Sequence, residues 1–428
     1  MQIDNLQRIH IVGPSSHTVP PQPRLIALAG DEMRAALGLH RNVAVLAASL
    51  FGLALGEELW QAYVPVYLTA LGAGGVIVGF FGSLKDLLDS VYQYPGGWLA
   101  DRIGRRRALL FFTSLATAGY VVYAIAPAWP ILFAGLFGVM AWKSGAFPTT
   151  FAVIGDSLPR ERRAVAFGVQ SVLVRVPRVI GAPIGGLLIA SLGTVAGIRA
   201  ALIVTIVLAA AVLMVQRYGF REDVRPAPPH EYSNVRSVFR ALPTSLKRLL
   251  TADCIVRIGE GIAASFIVLF VTSTLHYSAS DYGVLYAVQQ AIAIAFYLPA
   301  GRLAEFTGRR PLVLLTFVFF AVFPLAIRLA DTFPALLVAF VIGGLKEFGE
   351  PARKSLIVDL APDHLRGRAV GVYYGIRNLL VVPAGVIGGL LWQRSPTLPL
   401  EAAAVVGAIG MLAFALSSLR ETALPQPQ

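Results

Sequence analysis

Two stretches decide how this chain is read: Gly97-Trp98-Leu99-Ala100-Asp101-Arg102-Ile103-Gly104-Arg105-Arg106 and Gly301-Arg302-Leu303-Ala304-Glu305-Phe306-Thr307-Gly308-Arg309-Arg310. Each follows a long apolar run and precedes another. Arginines gathered in a tight turn between apolar runs are what a membrane chain keeps on its cytoplasmic side. An acidic-Gly-Arg-Arg turn in matching places also implies that one unit occurs as two parallel copies.

Composition agrees. Of 428 residues, 56% are hydrophobic and only 14% charged, and the mean hydropathy is +0.68; a soluble chain carries about 25% charged residues. The 36 Lys and Arg outnumber the 24 Asp and Glu. Most of that surplus lies in short turns between apolar runs, so it reports topology and not nucleic-acid binding. The lone Cys254 sits in an apolar segment, which excludes an intramolecular disulfide and a sulfur-held metal cluster. The six histidines (His10, His17, His40, His230, His276 and His364) show no ligand spacing. We therefore expect no metal, no cofactor and no enzyme activity. Residues 1–40 are Pro-rich and polar and lack a basic stretch feeding an apolar core, which reads as a cytoplasmic tail and not a signal peptide.

Apolar runs long enough to cross a bilayer number about twelve. They lie near 42–69, 74–100, 107–127, 129–156, 164–191, 195–216, 248–275, 281–301, 309–330, 333–358, 367–392 and 398–419. The expected fold is thus an all-α membrane protein with two parallel six-helix repeats, over 41–216 and 248–420. A cytoplasmic linker spans 217–247, with a basic amphipathic helix over Tyr232–Leu246, and a short tail spans 421–428. Basic residues cluster in the turns after spans two, four, eight and ten and in the linker; the opposite turns hold only Arg199, Arg328 and Arg394. Both termini are therefore expected in the cytoplasm, with the chain multi-pass in the cell (inner) membrane.

The halves align at an offset of 203 or 204. Gly56-Glu57 matches Gly259-Glu260, Lys143 matches Lys346, Asp156 matches Asp359, Arg163 matches Arg366, and Gly185-Gly186 matches Gly388-Gly389. Apolar helices that were alike only by chance would not keep polar residues in register.

With its two Gly-x-x-x-Asp/Glu-x-x-Gly-Arg-Arg turns (Gly97, Asp101, Gly104, Arg105, Arg106 and Gly301, Glu305, Gly308, Arg309, Arg310), the chain resembles the major facilitator superfamily over nearly its whole length. The resemblance implies twelve transmembrane helices, a central cavity lined by the first, fourth, seventh and tenth, and a conformational latch at the motif. In the latch, Arg105 would reach Asp156, and Glu305, Arg309 and Asp359 would repeat the arrangement, with Arg163 and Arg366 nearby. The drug-exporter pattern of the superfamily is matched only in part: Ala141, not an Arg, stands four residues before Gly145, and span five reads Gly181-Ala182-Pro183-Ile184-Gly185-Gly186.

Mid-membrane charge is the second informative feature. Span one holds Glu57 and Glu58, and span two Lys85, Asp86 and Asp89. Span four holds Lys143, span five Arg175 and Arg178, and span seven Arg257 and Glu260. Span ten holds Lys346, Glu347 and Glu350, and span eleven Arg377. Spans three, six, nine and twelve carry none in their interiors. A charge at the bilayer centre costs about 2.5–3.5 kcal/mol on insertion scales unless it meets water or a partner, so these residues are expected to line a wet path. Lys346, Glu350 and Arg353 fall on one helical face, and Lys85 and Asp89 are spaced to pair.

Glu57, with Glu260 and Asp86, is the expected proton-coupling site, because a carboxylate whose surroundings change can bind and release a proton. Glu58, Trp60, Lys143, Arg175, Arg178, Arg257, Lys346, Glu347, Glu350 and Arg377 are the expected substrate-cavity residues. Excluding Arg353 and Lys354, the interior counts seven acids and seven bases, which leaves the substrate's charge open. The expected activity is proton-coupled secondary transport of a small polar or charged solute by alternating access, in a monomer whose partners are solute, protons and bilayer. A multidrug efflux antiporter, a lipid-headgroup flippase and an uncoupled facilitator are the alternatives.

Overall fold

The computed structural model describes residues 41–146, 160–220, 235–362 and 366–422, and among these every regular element is helical. In the N-terminal half these are α1 (Arg41–Glu58), α2 (Val64–Ala70), α3 (Gly75–Ile103), α4 (Arg105–Ile125), α5 (Trp129–Met140), α6 (Arg160–Leu192) and α7 (Thr194–Gly219). After α8 (Val235–Ala241), the C-terminal half runs through α9 (Thr244–Ala264), α10 (Phe266–Leu269), α11 (Ala279–Thr307), α12 (Arg309–Leu329) and α13 (Phe333–Leu345). It ends with α14 (Glu350–Leu360), α15 (Arg366–Val381), α16 (Ala384–Arg394) and α17 (Leu398–Thr422). These helices trace the spans read from the sequence. Seven of the described helical segments are long and apolar enough to cross a membrane by length and composition. Several of the remaining spans are shortened by breaks or carry the interior charges.

Local chemistry sets the helix ends. Gly104 and Gly308 adopt φ of +92° and +82°, a region L side chains rarely enter, and so allow the chain to reverse directly into the arginines that open α4 and α12. A reciprocal Ser278–Asp281 capping box starts α11, and Pro130, Pro334 and Pro351 stand in the first turns of α5, α13 and α14, where no amide donor is needed. The linker is tighter than expected: α7 continues to Gly219 and α9 begins at Thr244. Within the expected amphipathic helix over Tyr232–Leu246, of which residues 232–234 lie outside the described residues, α8 buries Val238 and packs on α15. Residues 1–40 and 423–428 lie outside the described residues.

Within each half, one helix is wrapped by its neighbours: α1 and α4 pack on α7, and α9 and α12 pack on α17. The outer face of α17 exposes Val405, Ile409, Leu412 and Leu416, a helical stripe that only lipid can cover. The halves meet along two crossings, α6 with α11 and α3 with α16. At the second crossing a Cβ on Gly79 would strike the backbone of Gly385 and Gly389, so these glycines let the two backbones touch. The Ser83 hydroxyl accepts from the Val386 amide at 3.0 Å across the same joint. At the first crossing the buried Tyr63 hydroxyl lies 2.7 Å from the Ala182 carbonyl and 3.1 Å from that of Ala279. Both joints lie at the end of the bundle opposite the Gly-Arg-Arg turns. Nearer those turns, a Cβ on Gly371 or Gly375 of α15 would meet nothing within 4 Å.

Candidate functional site in the central cavity

A cavity of about 290 Å³ opens between the halves, lined by Glu58, Trp60, Lys85, Lys143, Arg178, Tyr282 and Tyr286 among others. A smaller one of about 140 Å³ adjoins Glu260, Gln289, Phe320, Phe323 and Lys346. Irregular backbone surrounds both. Span one breaks after Glu58 and resumes through a short 3₁₀ turn, Gln61–Tyr63. The break is held by Thr205, whose hydroxyl donates to the Gly56 carbonyl at 2.7 Å and accepts from Trp60 Nε1 at 3.2 Å. Span four widens into a π turn over Ala141–Gly145, which carries Lys143, and span ten is interrupted between α13 and α14 at Lys346. Such interruptions are frequent at functional sites. In membrane helices non-helical backbone is tolerated where protein or a water-filled cavity surrounds it.

In the N-terminal half, Glu57 is buried and accepts a 2.5 Å hydrogen bond from Tyr120 on α4. Glu58 accepts from Arg178 Nε at 3.1 Å. Lys143 lines the cavity and makes no hydrogen bond or ion pair among the described residues. Asp86 sits beside Lys85 at 3.9 Å, partly exposed and apart from Glu57. The expected Lys85–Asp89 pair does not form. Asp89 instead accepts from Ser144 at 2.5 Å, because the π turn brings that hydroxyl to α3. Arg175 lies over the Tyr297 ring at 4.9 Å, facing α11 and outside the cavity lining. Trp60 forms cavity wall, edge-on to Tyr120 and Tyr123.

In the C-terminal half the charges are joined in one network. Glu260 takes Lys346 at 2.6 Å and Arg257 at 2.7 Å. Arg353 bridges Asp253 and Glu350, Arg257 lies 3.6 Å from Glu350, and Lys354 lies 3.5 Å from it. Tyr373 donates to Asp253 at 2.9 Å, and Arg377 lies 3.7 Å from Asp253 while also donating to Asn378. Glu347 forms no ion pair among the described residues and lies outside both cavity linings. The reading of Lys346, Glu350 and Arg353 as one helical face is corrected by the break at 346–349, which turns Lys346 toward Glu260 and leaves Glu350 and Arg353 facing Asp253 and Arg257. Sequence reading missed Asp253, although its spacing of four and seven residues ahead of Arg257 and Glu260 puts all three on one stripe of α9. It also missed Tyr120, which nothing in the apolar run of α4 singles out.

At the Gly-Arg-Arg turns, Arg309 pairs with Asp359, and Arg106 donates to the Arg217 carbonyl at the end of α7. Gly97, Asp101, Gly301 and Glu305 are followed as helical backbone only; Asp156 and the side chains of Arg163 and Arg366 lie outside the described residues.

Comparison with known proteins settles the family. The family model for the Major Facilitator Superfamily matches residues 43–252 and again 249–428. The chain belongs to that superfamily. Among superfamily relatives, an uncharacterized MFS-type transporter of Methanocaldococcus jannaschii is 21% identical over 371 residues, covering 84% of this chain and 90% of the relative. Multidrug resistance protein MdtG of Escherichia coli is 23% identical over 382 residues, covering 81% of this chain and 92% of the relative. Among solved structures, the nucleoside transporter NupG superposes with a TM-score of 0.74 at 10% identity, covering 89% of this chain and 99% of that one. An inward-facing, occupied bacterial homolog of the human lysosomal transporter Spinster superposes with a TM-score of 0.72 at 19% identity, covering 91% and 99%. This superfamily member is a multi-pass membrane transporter.

Proposed function

We propose that the protein is a proton-coupled secondary active transporter that moves a small polar or charged solute across the cell membrane by rocking of its two halves. The observation that supports this reading is the central cavity, walled by both halves and lined by the ionic side chains Glu58, Lys85, Lys143 and Arg178, of which Glu58 and Lys143 stand at helix breaks. Glu57 is the proposed proton site. It lies behind the cavity wall, hydrogen-bonded to one phenol and to no base, so its charge is not fixed by a permanent ion pair. With the arginine turns on the cytoplasmic side, the joints at Tyr63 and Ser83 lie toward the outer end.

Uptake and efflux in proteoliposomes, with and without an imposed pH gradient, test the coupling. Gradient-dependent flux that disappears in Glu57→Gln supports it. Flux that only equilibrates, whatever the gradient, would leave an uncoupled facilitator. The relatives named as multidrug resistance proteins favour a second reading, efflux of drugs. The charged lining argues for a more polar cargo, since pockets for greasy ligands are mostly apolar. Extrusion of lipophilic dyes at rates unchanged in Lys143→Gln would favour the drug reading.

A further inference from the structure

We infer that the cargo of the central cavity is a small organic anion, recognised through a carboxylate or phosphate group by Lys143 together with the hydroxyls of Tyr282 and Tyr286. The inference rests on the transporter reading above and specifies what that site takes.

The argument is one of hydrogen-bond supply. Acids in and around the N-terminal side of the cavity are already engaged: Glu58 by Arg178, Glu57 by Tyr120, Asp89 by Ser144, while Asp86 stands beside Lys85. In the C-terminal half, Glu260 is engaged twice. Among the described residues Lys143 makes no hydrogen bond or direct ion pair, nor do the phenol hydroxyls of Tyr282 and Tyr286 make a hydrogen bond, although all three residues line the cavity. The two phenol rings lie nearly parallel, centroids 6.2 Å apart. The cavity therefore offers an ammonium and two hydroxyls with spare donors, and its carboxylate has a base already. An ammonium withdrawn from bulk water without a carboxylate in direct contact is costly, so a ligand that brings a negative charge against it gains most.

The repeat sharpens this. Lys346, the mate of Lys143, is neutralised by Glu260 at 2.6 Å. The corresponding partner of Lys143 is Glu57, which is bound to Tyr120 instead. In the C-terminal half the matched carboxylate contacts its lysine directly, and in the N-terminal half it contacts a phenol. At about 290 Å³ the cavity is at the small end of ligand pockets, which run from about 300 to 1,000 Å³, and suits a soluble solute.

The test is a thermal-shift panel on the full chain in nanodiscs of phosphatidylcholine, so that no lipid headgroup supplies the anion. Matched probes are benzoate, benzamide and benzylamine, then succinate and succinamide, then phenyl phosphate and phenol. At least one anion is expected to stabilise the protein while its neutral and cationic counterparts do not. Lys143→Gln should weaken that anion tenfold or more, Lys143→Arg should retain most of its binding, and Tyr286→Phe should cost about threefold. The inference is overturned if no anion outperforms its counterparts, if binding survives Lys143→Gln undiminished, or if stabilisation appears only when phosphatidylglycerol is added. Should Lys143→Gln fail to fold, Lys143→Arg and Tyr286→Phe decide the matter, since an uninvolved cavity would leave both at wild-type affinity. Anion binding without flux in proteoliposomes would remove the transporter reading and keep this one. Flux of an amine with no effect of anions would do the reverse.

Discussion

Glu260 holds Lys346 at 2.6 Å, whereas its repeat mate Glu57 takes the Tyr120 hydroxyl at 2.5 Å, and Lys143 makes no direct ion pair among the described residues. The same two residue types at matched positions thus serve different ends. Two neighbours account for this. The position of Tyr120 corresponds to Phe323, which has no hydroxyl to offer Glu260, and whose ring lies 5.5 Å from the Lys346 ammonium. The position of Arg257, which grips Glu260 from the other side, corresponds to Ala54. One half ties its interior charges into a single ion-pair network, while in the other Glu57 and Lys143 make no direct pair with each other. A duplicated fold can divide labour in this way without altering its backbone plan.

The largest effect should come from breaking the scaffold. Asp253 is fully buried and meets Arg353, Tyr373 and Arg377. Removing one member of a buried ion pair costs roughly 3–5 kcal/mol. Asp253→Asn is therefore expected to lower the unfolding temperature sharply, whereas Ser49→Ala, next to the matching Leu50 in the N-terminal half, loses only a hydrogen bond to the Val45 carbonyl. Equal losses in the two variants would break the comparison.

Next come the paired carboxylates. Glu260→Gln strands Lys346 and leaves Arg257 only its longer contact with Glu350, and should destabilise by several kcal/mol on the same grounds. Glu57→Gln keeps an acceptor for Tyr120, so it should fold nearly as well as wild type while losing gradient-driven transport in proteoliposomes. A Glu57→Gln protein that still accumulates solute against a gradient would remove Glu57 from the coupling role.

A subtler exchange concerns the phenol. Tyr120→Phe makes the N-terminal half imitate its partner and should cost about 1–3 kcal/mol, because the Glu57 carboxylate loses its donor. Glu57 is then expected to turn to Lys143, and anion affinity to fall. Titration of the stabilising anion by thermal shift measures this. Unchanged affinity would mean that Lys143 is not the contested group.

The smallest effect is expected at the arginine turns. Arg309 and Asp359 are both partly exposed, and exposed ion pairs contribute about 0–1 kcal/mol. Asp359→Asn should leave the unfolding temperature within a degree or two. Its effect, if the turn is a latch, should show in which end of the cavity a water-soluble cysteine reagent reaches. Performing this on Asp156→Asn as well asks whether the two turns latch equally.

Much of the fold was legible in the chain because membrane burial writes itself into composition. Runs such as 107–127 and 195–216 must be helical, since a bilayer offers no partner for free backbone amides. Gly104 and Gly308 mark turns that other residues would strain. The candidate site was legible only as a set of residues. Glu57, Lys143, Glu260 and Lys346 stood out because charge in an apolar run is expensive. Their partners did not: Tyr120 looks like any aromatic of a lipid-facing helix, and Asp253 hid near the linker end of its span. The Lys85–Asp89 pairing assumed two side chains on one helix, and a π turn on another helix supplied the competing hydroxyl.

The sequence by itself determined the topology, the duplication and the list of interior charges, since each follows from the transfer energetics of residues taken singly or in local spacing. Only the tertiary structure decided which charges neutralise each other and which remain available. That choice depends on contacts between helices far apart in the chain, Tyr120 with Glu57 and Lys346 with Glu260, where differences of an ångström or two in reach determine which hydrogen bond forms.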